Sequence, residues 1–192
     1  MKKHDLKFCF KGNRKYVHGT DIFNQVCGMF DIDFEGMDVS FHGISERNLS
    51  ISKVMPDNKD DIKFVFKLKD SQHTYIYYGF ENNIDINCKY EYDESIICKA
   101  SNIVMQKKEI ILSKITGYSF IENIVALNKH LLENIYLDAH GKWYFSRLQL
   151  NKAIVSDGEI KLCFRSNFNF KLIKTEIFID NISVGFIYFS LV

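Results

Sequence analysis

Ser119-Phe120-Ile121-Glu122-Asn123-Ile124-Val125 decides how the rest of this chain is read, because its order of hydroxyl, apolar and amide residues also stands 99 positions earlier. There Thr20, Ile22, Asn24 and Val26 answer to Ser119, Ile121, Asn123 and Val125. Ser119 with Glu122 is a capping box, in which the serine side chain and the glutamate three positions on satisfy free backbone amides at a helix start. Ile121, Ile124, Val125, Leu131, Leu132 and Ile135 then keep helical spacing, which predicts a helix running up to a stop at His140-Gly141. Further matches lie outward. Leu49 to Lys53 falls on Leu148 to Lys152 at the same offset of 99, and at an offset of 98 Asp61 to Lys67 falls on Glu159 to Arg165. At 98 also, Asn83, Ile84, Ile86 and Tyr90 fall on Asn181, Ile182, Val184 and Tyr188. Blocks that keep their order at a nearly fixed period imply an internal duplication, with one unit over residues 1–100 and a second over 101–192.

The earlier copy of the helix is predicted from Asp21 to about Phe30, led by Gly19-Thr20. Almost everything else is strand-like. Asp61 to Lys69, His73 to Phe80, Lys142 to Leu148, Glu159 to Arg165, Lys171 to Asp180 and Ser183 to Leu191 all show alternation or β-branched and aromatic enrichment. Pro56 to Asp61 reads as a loop between strands. With a single proline and no glycine or serine tract there is no linker, so the halves are expected to pack as one body joined within Ile97 to Lys108. The class is α+β, each half being one strand, one helix and about four antiparallel strands. A helix packed outside a two-sheet sandwich is the other arrangement that would bury these faces.

Bulk properties exclude several functions. A hydrophobic fraction of 46% over 192 residues supports a full core. The net charge of +1, with no long run of one sign, gives no footprint of a nucleic-acid binder. The apolar stretch near the start ends at Lys11, too short for a signal peptide, and no apolar run has membrane-spanning length. The five cysteines, Cys9, Cys27, Cys88, Cys98 and Cys163, form no C-x-x-C pair. They read as free thiols of a cytoplasmic protein. Asp31-Ile32-Asp33-Phe34-Glu35-Gly36 imitates half a calcium loop, but position twelve is His42 and not glutamate. The six histidines show no metal-ligand spacing, so no metal is expected.

A single helix against a strongly curved sheet in each half resembles the hotdog fold, and the duplication resembles a double-hotdog protein. The resemblance is one of architecture and repeat length over nearly the whole chain. It implies processing of acyl thioesters carried by coenzyme A or acyl carrier protein, by 3-hydroxyacyl dehydration or by thioester hydrolysis, with no cofactor. It also implies one composite site where the two units meet. His18 stands just before the first helix, where its repeat partner is Gly117, and Glu122 stands in the first turn of the second helix, where its counterpart is Phe23. As a dehydratase, His18 would take the proton beside the carbonyl and Glu122 would assist the departing hydroxyl. As a thioesterase, Asp21 or Glu122 would activate water.

Around them, Tyr16 flanks the histidine and Gly19 lets a carbonyl approach backbone amides. Asn24, Asn123 and Asn128 offer amides from the helices, and Arg14 with Lys11 and Lys15 makes a basic rim for an anionic carrier. The alternative from another class is a non-catalytic acyl-binding or assembly module. Open strand edges in each half leave room for a homodimer.

Overall fold

Alternation at every second residue builds most of the strands. The computed structural model describes residues 3–30, 34–151 and 158–192. The chain divides into two compact units, Met1–Asp93 and Glu94–Val192. The division falls ahead of the Ile97–Lys108 stretch in which the sequence places the join. Its cause is α2 (Ser95–Ala100), which packs on the long helix of the second unit, with Lys129 ion-paired to Glu94.

In the first unit, β1 (His4–Leu6), β3 (Gly36–Phe41), β4 (Arg47–Ser52), β5 (Ile62–Lys69) and β6 (Thr74–Asp85) run in the order β1-β4-β6-β5-β3, each pair antiparallel. Along β5 the alternate residues Phe64, Phe66 and Leu68 are buried while Lys67 and Lys69 are exposed. The same period buries Met37, Val39 and Phe41 of β3. On β4 the pattern breaks, since Asn48 to Ser52 are all buried. That burial is tolerable because the polar residues are bonded. Asn48 accepts the Phe8 amide at 2.7 Å and donates to the carbonyls of Ile84 and Asp85, and Ser50 donates to Asp5 at 2.6 Å. Helix α1 (Gly19–Cys27) lays Ile22, Phe23 and Val26 inward, with the Phe23 ring 6.2 Å from that of Phe66.

A second, smaller pairing matters more for the site. Strand β2 (Phe10–Lys11) runs parallel to β7 (Lys89–Tyr90), and one residue before this ribbon Cys9 and Cys88 are joined as a disulfide. This corrects the expectation of five free thiols, of which Cys27, Cys98 and Cys163 remain. A spacing of 79 residues carries no disulfide signature; the pair meets because the ribbon brings it together. The compartment inferred from uniformly free thiols loses its ground with it.

In the second unit, β8 (Asn102–Val104), β9 (Glu109–Leu112), β10 (Trp143–Leu150), β11 (Ile160–Phe168), β12 (Leu172–Ile179) and β13 (Ile182–Leu191) run in the order β10-β13-β12-β11-β9-β8, each pair antiparallel. Helix α3 (Phe120–Ile135) lies against β9, β11 and β13. Ile121, Ile124, Leu127, Leu131 and Leu132 have no exposed surface, and each such side chain contributes about 1.5–3 kcal/mol over leaving it in water. The helix ends before His140-Gly141. Tyr136 caps it and turns its ring onto Trp143, Phe164 and Phe170, at 6.2, 6.1 and 5.0 Å. Among the described residues no helix is long and apolar enough to cross a membrane.

The repeat blocks overlap at the helices out of step, Ser119 being the N-cap of α3 while Thr20 is the second residue of α1, and they slip further beyond them. Leu49 lies on β4, the second strand after α1, whereas Leu148 lies on β10, the first after α3. Asn83-Ile84 sits inside the continuous β6, while Asn181-Ile182 makes the turn from β12 into β13, with φ of 49° at Asp180 and 64° at Asn181. The incipient calcium pattern at Asp31 to Asp33 lies outside the described residues.

Candidate functional site at the start of the first helix

The start of α1 gathers an unusual set of polar groups. His18 is its N-cap by backbone position, with φ −78° and ψ 139°, and its carbonyl accepts from the amides of Asp21 and Ile22. Its side chain does not cap the helix but turns to Thr20, Nδ1 lying 2.7 Å from Oγ1. Thr20 is fully buried, and its hydroxyl also lies 3.3 Å from Asp21 Oδ1. A threonine hydroxyl has one proton. If His18 Nδ1 carries a proton it donates to Thr20, which donates on to Asp21; if Nδ1 is bare, the hydroxyl donates back to it. The three residues therefore form a relay that links the protonation of His18 to the Asp21 carboxylate.

Lys11 arrives from β2. It has no exposed surface, and its Nζ donates to Thr20 Oγ1 at 3.0 Å and to Asp21 Oδ1 at 3.2 Å. The ammonium also stands 4.0 Å above the Tyr92 ring and 5.8 Å from that of Tyr90. A buried ammonium is tolerable only with such partners. Tyr90, from β7, donates its hydroxyl to the same Asp21 Oδ1 at 2.8 Å. The other oxygen, Oδ2, is buried and makes no hydrogen bond. One carboxylate oxygen is thus held from three sides, by Lys11, Thr20 and Tyr90.

The sequence-predicted residues separate into two groups. Around the start of α1 stand His18, Gly19 and Asp21. The Tyr16 ring lies 6.4 Å from that of His18, and Arg14 reaches the Lys11 carbonyl at 3.4 Å with its guanidinium 5.7 Å from the Tyr92 ring. Asn24 is exposed on the following turn. Glu122, Asn123 and Asn128 belong to α3 in the second unit. Glu122 closes the capping box, Oε2 accepting from the Ser119 amide at 2.9 Å and hydroxyl at 2.8 Å. Asn123 accepts from the Thr116 hydroxyl at 2.7 Å and donates to the Tyr118 carbonyl at 3.1 Å, tying down the approach to α3. It also lines a half-open pocket of about 80 Å³ with Leu112, Phe120 and Ile160. Asn128 is wholly buried with neither side-chain polar atom bonded.

Sequence reasoning missed Thr20, Tyr90 and Tyr92, and it misplaced Lys11, which is no rim cation but the buried centre of the cluster. The available signal was a lysine directly after the apolar run Phe8-Cys9-Phe10. Among the described residues, no three His, Cys, Asp or Glu side chains are placed to hold a metal ion.

Solved structures that this chain is similar to include dehydratase domains. The dehydratase domain of RzxB from Pseudomonas fluorescens matches at 9% identity and a TM-score of 0.46, covering 98% of this chain and 92% of that one. The erythromycin dehydratase matches at 10% identity and 0.48, covering 99% and 89%. A dehydratase domain from the CurF module of the curacin polyketide synthase matches at 6% and 0.40, covering 92% and 84%. No protein-family model matches the chain, and no curated protein matches it.

Proposed function

We propose that the chain processes acyl thioesters by proton transfer at the start of α1, with dehydration of a 3-hydroxyacyl group as the reaction. The observation that carries this reading is the His18–Thr20–Asp21 relay clamped by the buried Lys11. His18 takes the proton next to the thioester carbonyl. Through Thr20 the Asp21 carboxylate steadies the imidazolium that forms. The same imidazolium then gives its proton to the departing hydroxyl, so the enoyl thioester and one water leave with His18 restored. Glu122, expected to assist that departure, already accepts two hydrogen bonds in its cap, and the scheme does not need it.

Acyl carrier protein or coenzyme A is the proposed carrier. Lys15 and Arg14, on the turn leading to His18, are the cations that would meet its phosphates. The non-catalytic acyl-binding reading is favoured by one observation, the commitment of Glu122 to helix capping.

The test offers 3-hydroxyacyl thioesters on coenzyme A and on an acyl carrier protein, following both enoyl formation and thiol release. Enoyl product that falls at least 100-fold in His18→Ala, the lower range for loss of a positioned acid–base group, supports dehydration. Thiol release without enoyl product transfers the role to hydrolysis, with Asp21 Oδ2 as the water's acceptor. Saturable binding without turnover makes the chain an acyl-binding module.

A further inference from the structure

The ribbon that delivers Lys11 and Tyr90 to Asp21 is held by very little backbone. Its parallel pairing spans Phe10 against Lys89 and Lys11 against Tyr90. The flanking bonds are Phe10 N to Cys88 O at 2.9 Å and Gly12 N to Tyr90 O at 2.8 Å. Two-residue parallel ladders do not stand alone in water. Lys89 and Tyr90 are exposed, so burial does not secure β7 either. What joins the two segments covalently is the Cys9–Cys88 disulfide, one residue before the ladder. Cys88 is exposed, within reach of a reductant.

The other cysteines are chemically quiet. Burial pushes the Cys27 thiol up to about 12, and burial with the neighbouring Glu109 pushes Cys163 up to about 11. Burial likewise raises Cys98. Near neutral pH these three stay protonated and react slowly, so thiol–disulfide chemistry is directed to a single pair.

We propose that the Cys9–Cys88 disulfide is a redox latch on the polar cluster at the start of α1, whose opening by a dithiol frees β7 and withdraws Tyr90 from Asp21 while the sheet of the first unit stays folded. In the opening step a thiolate of the dithiol attacks Cys88 Sγ, the sulfur–sulfur bond breaks, and Cys9 leaves as thiolate and takes up a proton. The second thiol of the reductant then displaces Cys88, which also leaves as a thiol. Two electrons pass to the protein, and the dithiol closes to its own disulfide. The latch rests on the geometry of the ribbon and not on the reaction proposed for the cluster.

Hydrogen–deuterium exchange read by mass spectrometry tests it without any substrate, on the full chain before and after dithiothreitol and on the double variant Cys9→Ser/Cys88→Ser. The expected result is a disulfide-linked pair of peptides in the purified protein. On reduction, exchange in peptides covering residues 8–14 and 86–92 rises at least tenfold, while residues 62–69 stay slow. The double variant starts in the fast state and ignores dithiothreitol. Absence of the linked peptides, unchanged exchange on reduction, or an equal rise through residues 62–69 would each overturn the latch, the last making the disulfide a global staple. An acyl-thioester assay that fails leaves these outcomes untouched.

Discussion

Lys11 and Asp21 are unequal partners, and the inequality sets what each substitution does. The lysine side chain has no exposed surface, while that of aspartate keeps 14%. Removing Asp21 therefore takes the carboxylate away from a fully buried ammonium, whereas removing Lys11 leaves a carboxylate that still accepts from Tyr90 and can draw on water. Removing one partner of a buried pair costs about 3–5 kcal/mol because the other charge is left uncompensated, and the cost falls where that charge keeps other partners and some exposure, as Asp21 does. Asp21→Ala is expected to lower the unfolding free energy by about 3 kcal/mol and Lys11→Met by about 1 kcal/mol, as read by urea unfolding. The reverse order would mean that the Tyr90 bond, and not the ammonium, is what Asp21 contributes. His18 and Asp21 are polar residues beside a helix start, and for that reason they were legible in the sequence. Lys11 was not: a lysine after an apolar run reads as the run's solvated end until Tyr90 and Tyr92, some 80 residues on, are folded over it.

At the scale of the element, α3 shows what a sequence signature can and cannot decide. The capping box read from Ser119 and Glu122 is present with both of its reciprocal bonds. Ser119→Ala should cost about 1 kcal/mol. Glu122→Ala should cost a similar amount and add little in the double variant, since each residue serves the same cap. Glu122→Gln separates capping from chemistry, because an amide still accepts from the Ser119 amide but carries no acid proton. Its stability should stay within about 0.5 kcal/mol of the parent, and enoyl formation should be unchanged if His18 alone moves the protons. A collapse of turnover with unchanged stability would restore Glu122 to the reaction.

The strands with clean alternation, such as β5 and β12, were equally legible. Strand β4 was not, because its two buried faces and its bonded asparagine and serines erase the period of two. The matched blocks fall on a helix in each half but not on matching caps, since Ser119 caps α3 while Thr20 lies inside α1, and beyond the helices they slip by one strand, because any pair of alternating strands can be set in register.

Across the whole molecule, the ties that matter most for the first unit are those between its beginning and its end. The Cys9–Cys88 link closes a loop of 79 residues, which takes in α1, β3, β4, β5 and β6. Closing a loop of that length in the unfolded chain is worth about 4.5 kcal/mol in the chain-entropy account, and native disulfides deliver about 2–4 kcal/mol in practice. A domain stable by about 5–15 kcal/mol survives that loss. The double variant Cys9→Ser/Cys88→Ser should therefore remain folded, with its urea midpoint lowered by the equivalent of about 2–4 kcal/mol and its unfolding slope slightly raised. The slope rises because an unfolded chain without the cross-link exposes more surface. Circular dichroism in non-reducing buffer reads both quantities. The sign of the slope change is the discriminating part. A lower midpoint with an unchanged slope would place the effect in the folded state alone, as lost packing at the ribbon. A lower midpoint with a higher slope means that the disulfide acts in part through the unfolded ensemble, so that losing it weakens the domain without dismantling the sheet behind the ribbon.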